Sequence, residues 1–455
     1  MHKFFEKFSE IMERILTPIA EKLTKQPHVL AVRNALMGTI PIVIIGGVFL
    51  ILAFPPVDPK EIGADPNFLQ QLLLIWYNWS QANIQTLLVP VNMSMGLMAV
   101  VVAIGIGYHL ATIYKLDPLS GAVSALISFL VVAAPTESVV TLELLKSGKT
   151  VEEIIKYSHG AMPTVFLDAK GMFAAMIIGL LAVEVAKFCK QRKITITLPE
   201  GVPPAVARSF EALIPTVFTV IVFYCISLVL QAVSGYLIPQ LIMKAFEPLV
   251  SAYDSALSVF ICAMFVQLLW FVGLHGAAIV GSITQPFSDM NLLMNVQEKM
   301  AGVPMTHVYT TPLWAMYVAI GGCGATLALL ILLLRSRSEH LKAVGKVALL
   351  PGIFNINEPI IFGVPMVLNS YMAIPFILVQ GINGVLAFWA TKYGLIGKAF
   401  VNVPWTMPAP LGAFFSTLDW RAGVFVLLLI AMDFFLYLPF FKMYEKSLLK
   451  QESAG

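Results

Sequence analysis

The sequence predicts an all-α integral membrane protein with about ten transmembrane helices, two re-entrant hairpins and short amphipathic helices. Three observations carry that prediction. First, 58% of the residues are hydrophobic and 12% charged, with a mean hydropathy of +0.84, far from the roughly 25% charged content of soluble domains. Second, apolar runs of spanning length, ~20 residues each, recur along the 455 residues. Third, two apolar segments are broken by proline and glycine. One of them holds a lone carboxylate, Glu358, in Pro351-Gly352-Ile353-Phe354-Asn355-Ile356-Asn357-Glu358-Pro359.

Residues 1–30 mix Lys3, Lys7, Arg14, Lys22 and Lys25 with Glu6, Glu10, Glu13 and Glu21. Phe4, Phe8, Ile11, Ile15, Ile19 and Leu23 recur at helical spacing, which predicts an amphipathic surface helix. These thirty residues precede the first apolar run, so no cleavable secretion signal is expected. The first span runs from about Leu30 to Phe54 and stops at Pro55-Pro56; the acidic stretch Asp58 to Asp65 then belongs outside. Further runs lie near 67–90, 92–114, 119–135, 171–189, 211–240, 255–281, 313–334, 370–391 and 422–441.

Ten crossings place both termini in the cytoplasm. Arg335, Arg337, Lys342 and Lys346 then fall inside, as do Lys442, Lys446 and Lys450. Lys187, Lys190, Arg192 and Lys193 oppose the charge rule under that count. The run over 67–90, rich in Asn and Gln, is the weakest span, but omitting it would export Arg335. The element 198–210 separates an amino-terminal half, 1–197, from a carboxy-terminal half, 211–455. Cys189, Cys225, Cys262 and Cys323 are scattered through apolar runs, so neither a metal pair nor a disulfide framework is expected. No basic cluster interleaved with aromatics indicates nucleic acid, and no cofactor motif is present.

The broken segments are 341–366 and 395–415, the latter containing Pro404-Trp405-Thr406-Met407-Pro408. Helices cannot run through such spacing, and irregular backbone at membrane depth persists only where protein, water or a polar solute satisfies it. Burying a charge there costs about 2.5–3.5 kcal/mol even on the lenient insertion scale. Glu358 is therefore expected to line a buried polar cavity. His275, in Trp270-Phe271-Val272-Gly273-Leu274-His275-Gly276, falls inside the run 255–281. A carboxylate, an imidazole and an indole such as Trp405 together suit a carbohydrate: two groups grip hydroxyls and the third stacks on a pyranose.

Each has a bland alternative. A neighbouring carbonyl can satisfy His275, an interface can hold Trp405, and Glu358 can pair with a structural base. His109, Glu184, Glu211, Glu247 and Asp433 sit near predicted span ends, where snorkelling or capping accounts for them. Asp168 and Lys170 are placed to pair with each other.

As a set, these residues resemble the membrane-embedded IIC component of the bacterial phosphoenolpyruvate-dependent sugar phosphotransferase system, of the lactose/cellobiose/diacetylchitobiose branch. The resemblance covers nearly the whole chain. It rests on Gly352 to Ile360, Trp270 to Gly276, Pro404-Trp405-Thr406 with Pro408, and Gly201-Val202-Pro203-Pro204-Ala205-Val206. It implies that Glu358 and His275 contact sugar, that Glu358 acts at the hydroxyl receiving phosphate, and that Asn355, Asn357, Trp405 and Thr406 are neighbours in the site. It also implies a homodimer in the bacterial cell membrane that takes a β-linked disaccharide inward. A cytosolic phospho-IIB protein, supplied by IIA, HPr and enzyme I, would phosphorylate the 6-hydroxyl. Asp168, where glycine is expected, and Met407, where threonine is common, depart from the pattern.

The residues agree with a phosphate donor on another chain, because no GxxxxGK[ST] cradle appears. A proton-coupled symporter releasing unmodified sugar is the competing expectation, since membrane Glu and His also serve proton relays. An intramembrane hydrolase is weaker, lacking GxSxG and HExxH.

Overall fold

The computed structural model describes residues 26–57, 59, 62, 65–135, 137–139, 159–199 and 201–452, with positions 14, 18, 22 and 25. Most of the amphipathic helix expected over 1–30 and most of the acidic stretch 58–65 lie outside the described residues. The chain divides into two compact units. One comprises 1–29, 41–92 and 249–455; the other comprises 30–40 and 93–248.

The first two helices whose bounds are described are α1 (Pro27–Gly38) and α2 (Ile40–Ala53). α3 (Phe68–Ala82) starts at a reciprocal cap: Gln70 N donates to Asn67 Oδ1 at 2.9 Å, and Asn67 N donates to Gln70 Oε1 at 2.9 Å. Then follow α4 (Ile84–Ser94) and α5 (Met98–Ile113). Asp117 and Pro118 open α6 (Pro118–Ala133), whose Ser120 N donates to Asp117 Oδ2 at 2.9 Å. A single antiparallel pair, β1 (Glu137–Val139) with β2 (His159–Ala161), is the only sheet among the described residues.

The unit holding 93–248 continues with α7 (Met172–Gln191), α8 (Pro204–Ser234) and most of α9 (Ile238–Tyr253). Gly107 on α5 lies against the Gly121 carbonyl on α6, so a β-carbon there would collide with backbone. Small residues let helices approach this closely in a membrane, where dispersion replaces the hydrophobic drive. Glu184 accepts from the Tyr114 hydroxyl and pairs with Lys187 at 3.4 Å; Glu211 pairs with Lys190 at 3.2 Å. Asp168 Oδ1 accepts from the Lys170 backbone N–H at 2.9 Å, capping a helical turn, so these two residues meet through main chain.

The other unit holds α10 (Ala256–Phe271), α11 (Gly276–Met300), α12 (Leu327–Leu334), α13 (Glu339–Ile353), α14 (Glu358–Gly363), α15 (Ala373–Lys392), α16 (Ala409–Thr417) and α17 (Trp420–Glu452). A turn at Thr311–Leu313 runs into a π-helical Trp314–Val318 before the chain breaks. The run 313–334, expected as one span, is therefore two pieces separated by Gly321, Gly322 and Gly324, all with left-handed backbone.

The fold is the expected membrane-spanning helical one. Among the described residues, six helical stretches are long and apolar enough to cross a bilayer: Pro27–Ala53, Ile84–Ile113, Ala169–Gln191, Val206–Ser234, Ala373–Lys392 and Trp420–Lys450. A seventh is the pair α9 and α10, bent by 76°. The run 67–90 is not one helix, because the chain breaks at Asn83 between α3 and α4. Asp433, expected near a span end, is instead fully buried midway along α17, where Asn383 Nδ2 donates to its Oδ2 at 2.8 Å.

Candidate functional site

The expected continuous span over 255–281 does not form. After α10, Gly273 takes φ +81°, its N–H reaches Trp270 O at 3.0 Å, and Leu274 N reaches Leu269 O at 2.9 Å. That pair of bonds is the Schellman closure, which needs a left-handed residue just past the helix. His275 then becomes the cap of α11, its Nδ1 accepting from Ala278 N at 3.2 Å. Accepting at Nδ1 places the neutral ring's proton on Nε2, leaving an outward donor on an exposed side chain. The Trp270 ring lies 4.7 Å from the imidazole.

The segment 341–366 is a hairpin. α13 and α14 run back along each other, and His340 Nε2 contacts Gly363 O at 3.0 Å. The tip repeats the same helix end. Asn355 takes φ +62°, Asn355 N donates to Gly352 O at 3.2 Å, and Ile356 N donates to Pro351 O at 3.0 Å. Asparagine tolerates the left-handed region better than most residues. Its side chain does more: Nδ2 donates to Trp405 O at 2.7 Å and Met407 O at 2.9 Å, while Oδ1 accepts from Gly321 N at 2.8 Å. Asn357 Nδ2 donates to Cys323 O at 2.6 Å and Thr326 Oγ1 at 2.8 Å. Both amides are buried and engaged with protein.

Glu358 follows as the first residue of α14 and is exposed, not enclosed as its setting in the sequence implies. The inward positions at this tip are filled by Asn355 and Asn357, so the carboxylate between helices points to accessible space. Among the described residues no base forms an ion pair with it, which removes the bland explanation of a structural pair.

The segment 395–415 also folds back on itself, with Phe400 N and Val401 N donating to Ser416 O at 3.0 and 3.1 Å. Its turn carries Trp405, 57% exposed, and the half-buried Thr406. Asn355 fixes the carbonyls on either side of Thr406, so the indole and Glu358 ride on one connected scaffold. The structure thus joins Asn355, Asn357, Glu358, Trp405 and Thr406 in one cluster. The hairpin's exit meets the end of α10, four residues before His275, where Leu368 N donates to Phe271 O at 3.0 Å.

Two features escaped the sequence reading. The Gly321–Gly324 loop is clamped from four sides: by Asn355, by Asn357, by Gln380 (Gly324 N to Oε1, 3.0 Å) and by Tyr437 (hydroxyl to Gly324 O, 2.6 Å). Three glycines inside an apolar run were its signal. Asp289, four turns into α11, accepts from Thr311 Oγ1 at 2.5 Å and Gln285 Nε2 at 2.8 Å, and burial pushes its carboxyl up to about 6.

The family model "Phosphotransferase system, EIIC" matches residues 33–379. The chain belongs to that family. The cellobiose-specific EIIC component of Geobacillus stearothermophilus is 36% identical over 99% of this chain and 97% of its own length. The lactose-specific EIICB component of Lacticaseibacillus casei is 30% identical over 100% of this chain and 73% of its own. The crystal structure of the transporter ChbC, the IIC component from the N,N'-diacetylchitobiose-specific phosphotransferase system, superimposes with a TM-score of 0.85. It shares 32% identity, covering 97% of this chain and 99% of that one. As an EIIC protein, the chain is a multi-pass membrane permease for sugar.

Proposed function

We propose that this EIIC chain binds a β-linked disaccharide of the cellobiose, diacetylchitobiose or lactose type, carries it inward and presents its 6-hydroxyl to a cytosolic phospho-IIB partner. The observation that carries this is the hairpin tip, where an unpaired carboxylate opens to solvent on a loop stapled to the main chain of the turn that carries the exposed Trp405. The relatives' named sugars support the substrate class, and the name EIICB supports a IIB component as partner.

In this reading Glu358 orients the acceptor hydroxyl and takes its proton, while Nε2–H of His275 donates to a neighbouring oxygen. Trp405 stacks on a sugar ring and Thr406 lies beside it. Asn355 and Asn357 act one step back, holding the tip that positions Glu358. Positioning is where much of the rate in phosphoryl transfer originates. The chain works as a homodimer with cytoplasmic termini, and IIA, HPr and enzyme I recharge the IIB partner.

The test supplies labelled disaccharide outside vesicles and identifies the label found inside. Sugar phosphate should accumulate inside only when phospho-IIB is supplied, and Glu358→Gln should abolish it. Free sugar accumulating without any phosphocarrier would replace this mechanism with symport.

A further inference from the structure

Within residues 320–326 only Cys323 keeps solvent contact; Ile320, Gly321, Gly322, Gly324, Ala325 and Thr326 are buried. The loop therefore shows one side chain to accessible space. That thiol neighbours the Trp270 indole and the Gln267 amide and lies within electrostatic reach of Glu358. Gln267 and Trp270 are three residues apart on α10, hence on one face.

Both carry unfinished hydrogen bonding. Trp270 is 7% exposed and Gln267 is 0% exposed, yet neither Trp270 Nε1 nor Gln267 Oε1 closes a hydrogen bond. A thiol is too weak a donor and acceptor to satisfy them. Gln267 Nε2 is already bonded to Gln380, so its amide cannot rotate away. Leaving such groups unmet costs roughly 1–3 kcal/mol each, and each orphan in a native structure requires an explanation. One orphan is a donor and the other an acceptor. A single hydroxyl, which accepts and donates at once, answers both.

We propose that Trp270, Gln267 and Cys323 form a further hydroxyl-binding corner of the sugar site, beside Glu358. The corner rests on the reading of Glu358 as a sugar contact. Trp270 donates to a saccharide hydroxyl, that hydroxyl donates to Gln267, and Cys323 limits the room above them. A sugar whose hydroxyl is absent or turned away at this position is rejected, because the two protein groups stay unpaired.

Equilibrium binding of cellobiose, N,N'-diacetylchitobiose and lactose to the purified full chain tests this, taking the tightest as probe. Trp270→Phe keeps the ring and removes the donor; the expected loss is roughly tenfold, the effect of one hydrogen bond. Cys323→Leu should weaken binding by about tenfold or more through crowding, and Cys323→Ser by less than about threefold. Monodeoxy forms of the probe guard against general damage: one position should lose affinity for the native chain yet lose nothing further in Trp270→Phe. If Trp270→Phe and Cys323→Leu bind like the native chain while Glu358→Gln does not, the corner is wrong and the Glu358 site stands. If Glu358→Gln also binds unchanged, the underlying site falls with it.

Discussion

Two helix ends present the principal polar groups, and they are built alike. Past α10 a left-handed Gly273 turns the chain toward His275; past α13 a left-handed Asn355 turns it toward Glu358. The glycine supplies only a bend. His275 is then held by its own helix through Ala278. The asparagine bends the chain and also staples it, binding Trp405 and Met407 on one side and Gly321 on the other. The contrast separates direction from rigidity: the same closure aims both residues, but only at the acid's end does the side chain of the left-handed residue itself fasten the turn to other segments.

The largest effect should follow from cutting the staple. Asn355→Gly keeps the left-handed backbone and removes three buried hydrogen bonds, an expected loss of about 2–4 kcal/mol. Phosphorylation should collapse and the melting temperature of the detergent-solubilised protein should fall. Unchanged activity would show that the staple does not place Glu358.

His275→Asn should lose sugar affinity by roughly tenfold with little change in melting temperature, since asparagine caps a helix as well as any residue. A large drop in stability would mean that the imidazole does structural duty instead. Gly273→Ala should be milder. A β-carbon there meets only Val367 Cγ1, at 3.6 Å, so the expected cost is the left-handed penalty of about 1–2 kcal/mol, read by thermal unfolding.

The last effect, seen only as a change with pH, concerns the far anchorage of α11. The Asp289 carboxyl is raised to about 6 from 3.8, so the folded state favours the protonated acid. Its contribution is complete below about pH 4 and lost as pH climbs through 6. Asp289→Asn should remove this dependence, so its melting temperature relative to the native chain should rise from pH 4 to pH 7. A difference that stays flat would place the acid in a wetter setting.

How much was legible follows the same division. The helical membrane fold and the two broken segments were readable, because composition and proline spacing constrain the backbone locally. Glu358, His275 and Trp405 were readable as residue types that are anomalous in apolar runs. Their surroundings were not. The span over 255–281 looked continuous because hydropathy averages cannot see a two-bond closure at Gly273. The apolar run 313–334 hid its glycine loop for the same reason. Asn355 and Asn357 look like sugar ligands in isolation; their partners lie 31 to 52 residues away, a separation that periodicity does not reach. Asp433 looked peripheral, since its partner Asn383 is 50 residues earlier.

The clasp of Asn355 on both sides of Thr406 has a kinematic consequence. A tip and a turn joined at two carbonyls cannot slide past each other without breaking both bonds. Any movement of the hairpin tip must then carry the main chain of the Trp405 turn with it, as one rigid piece.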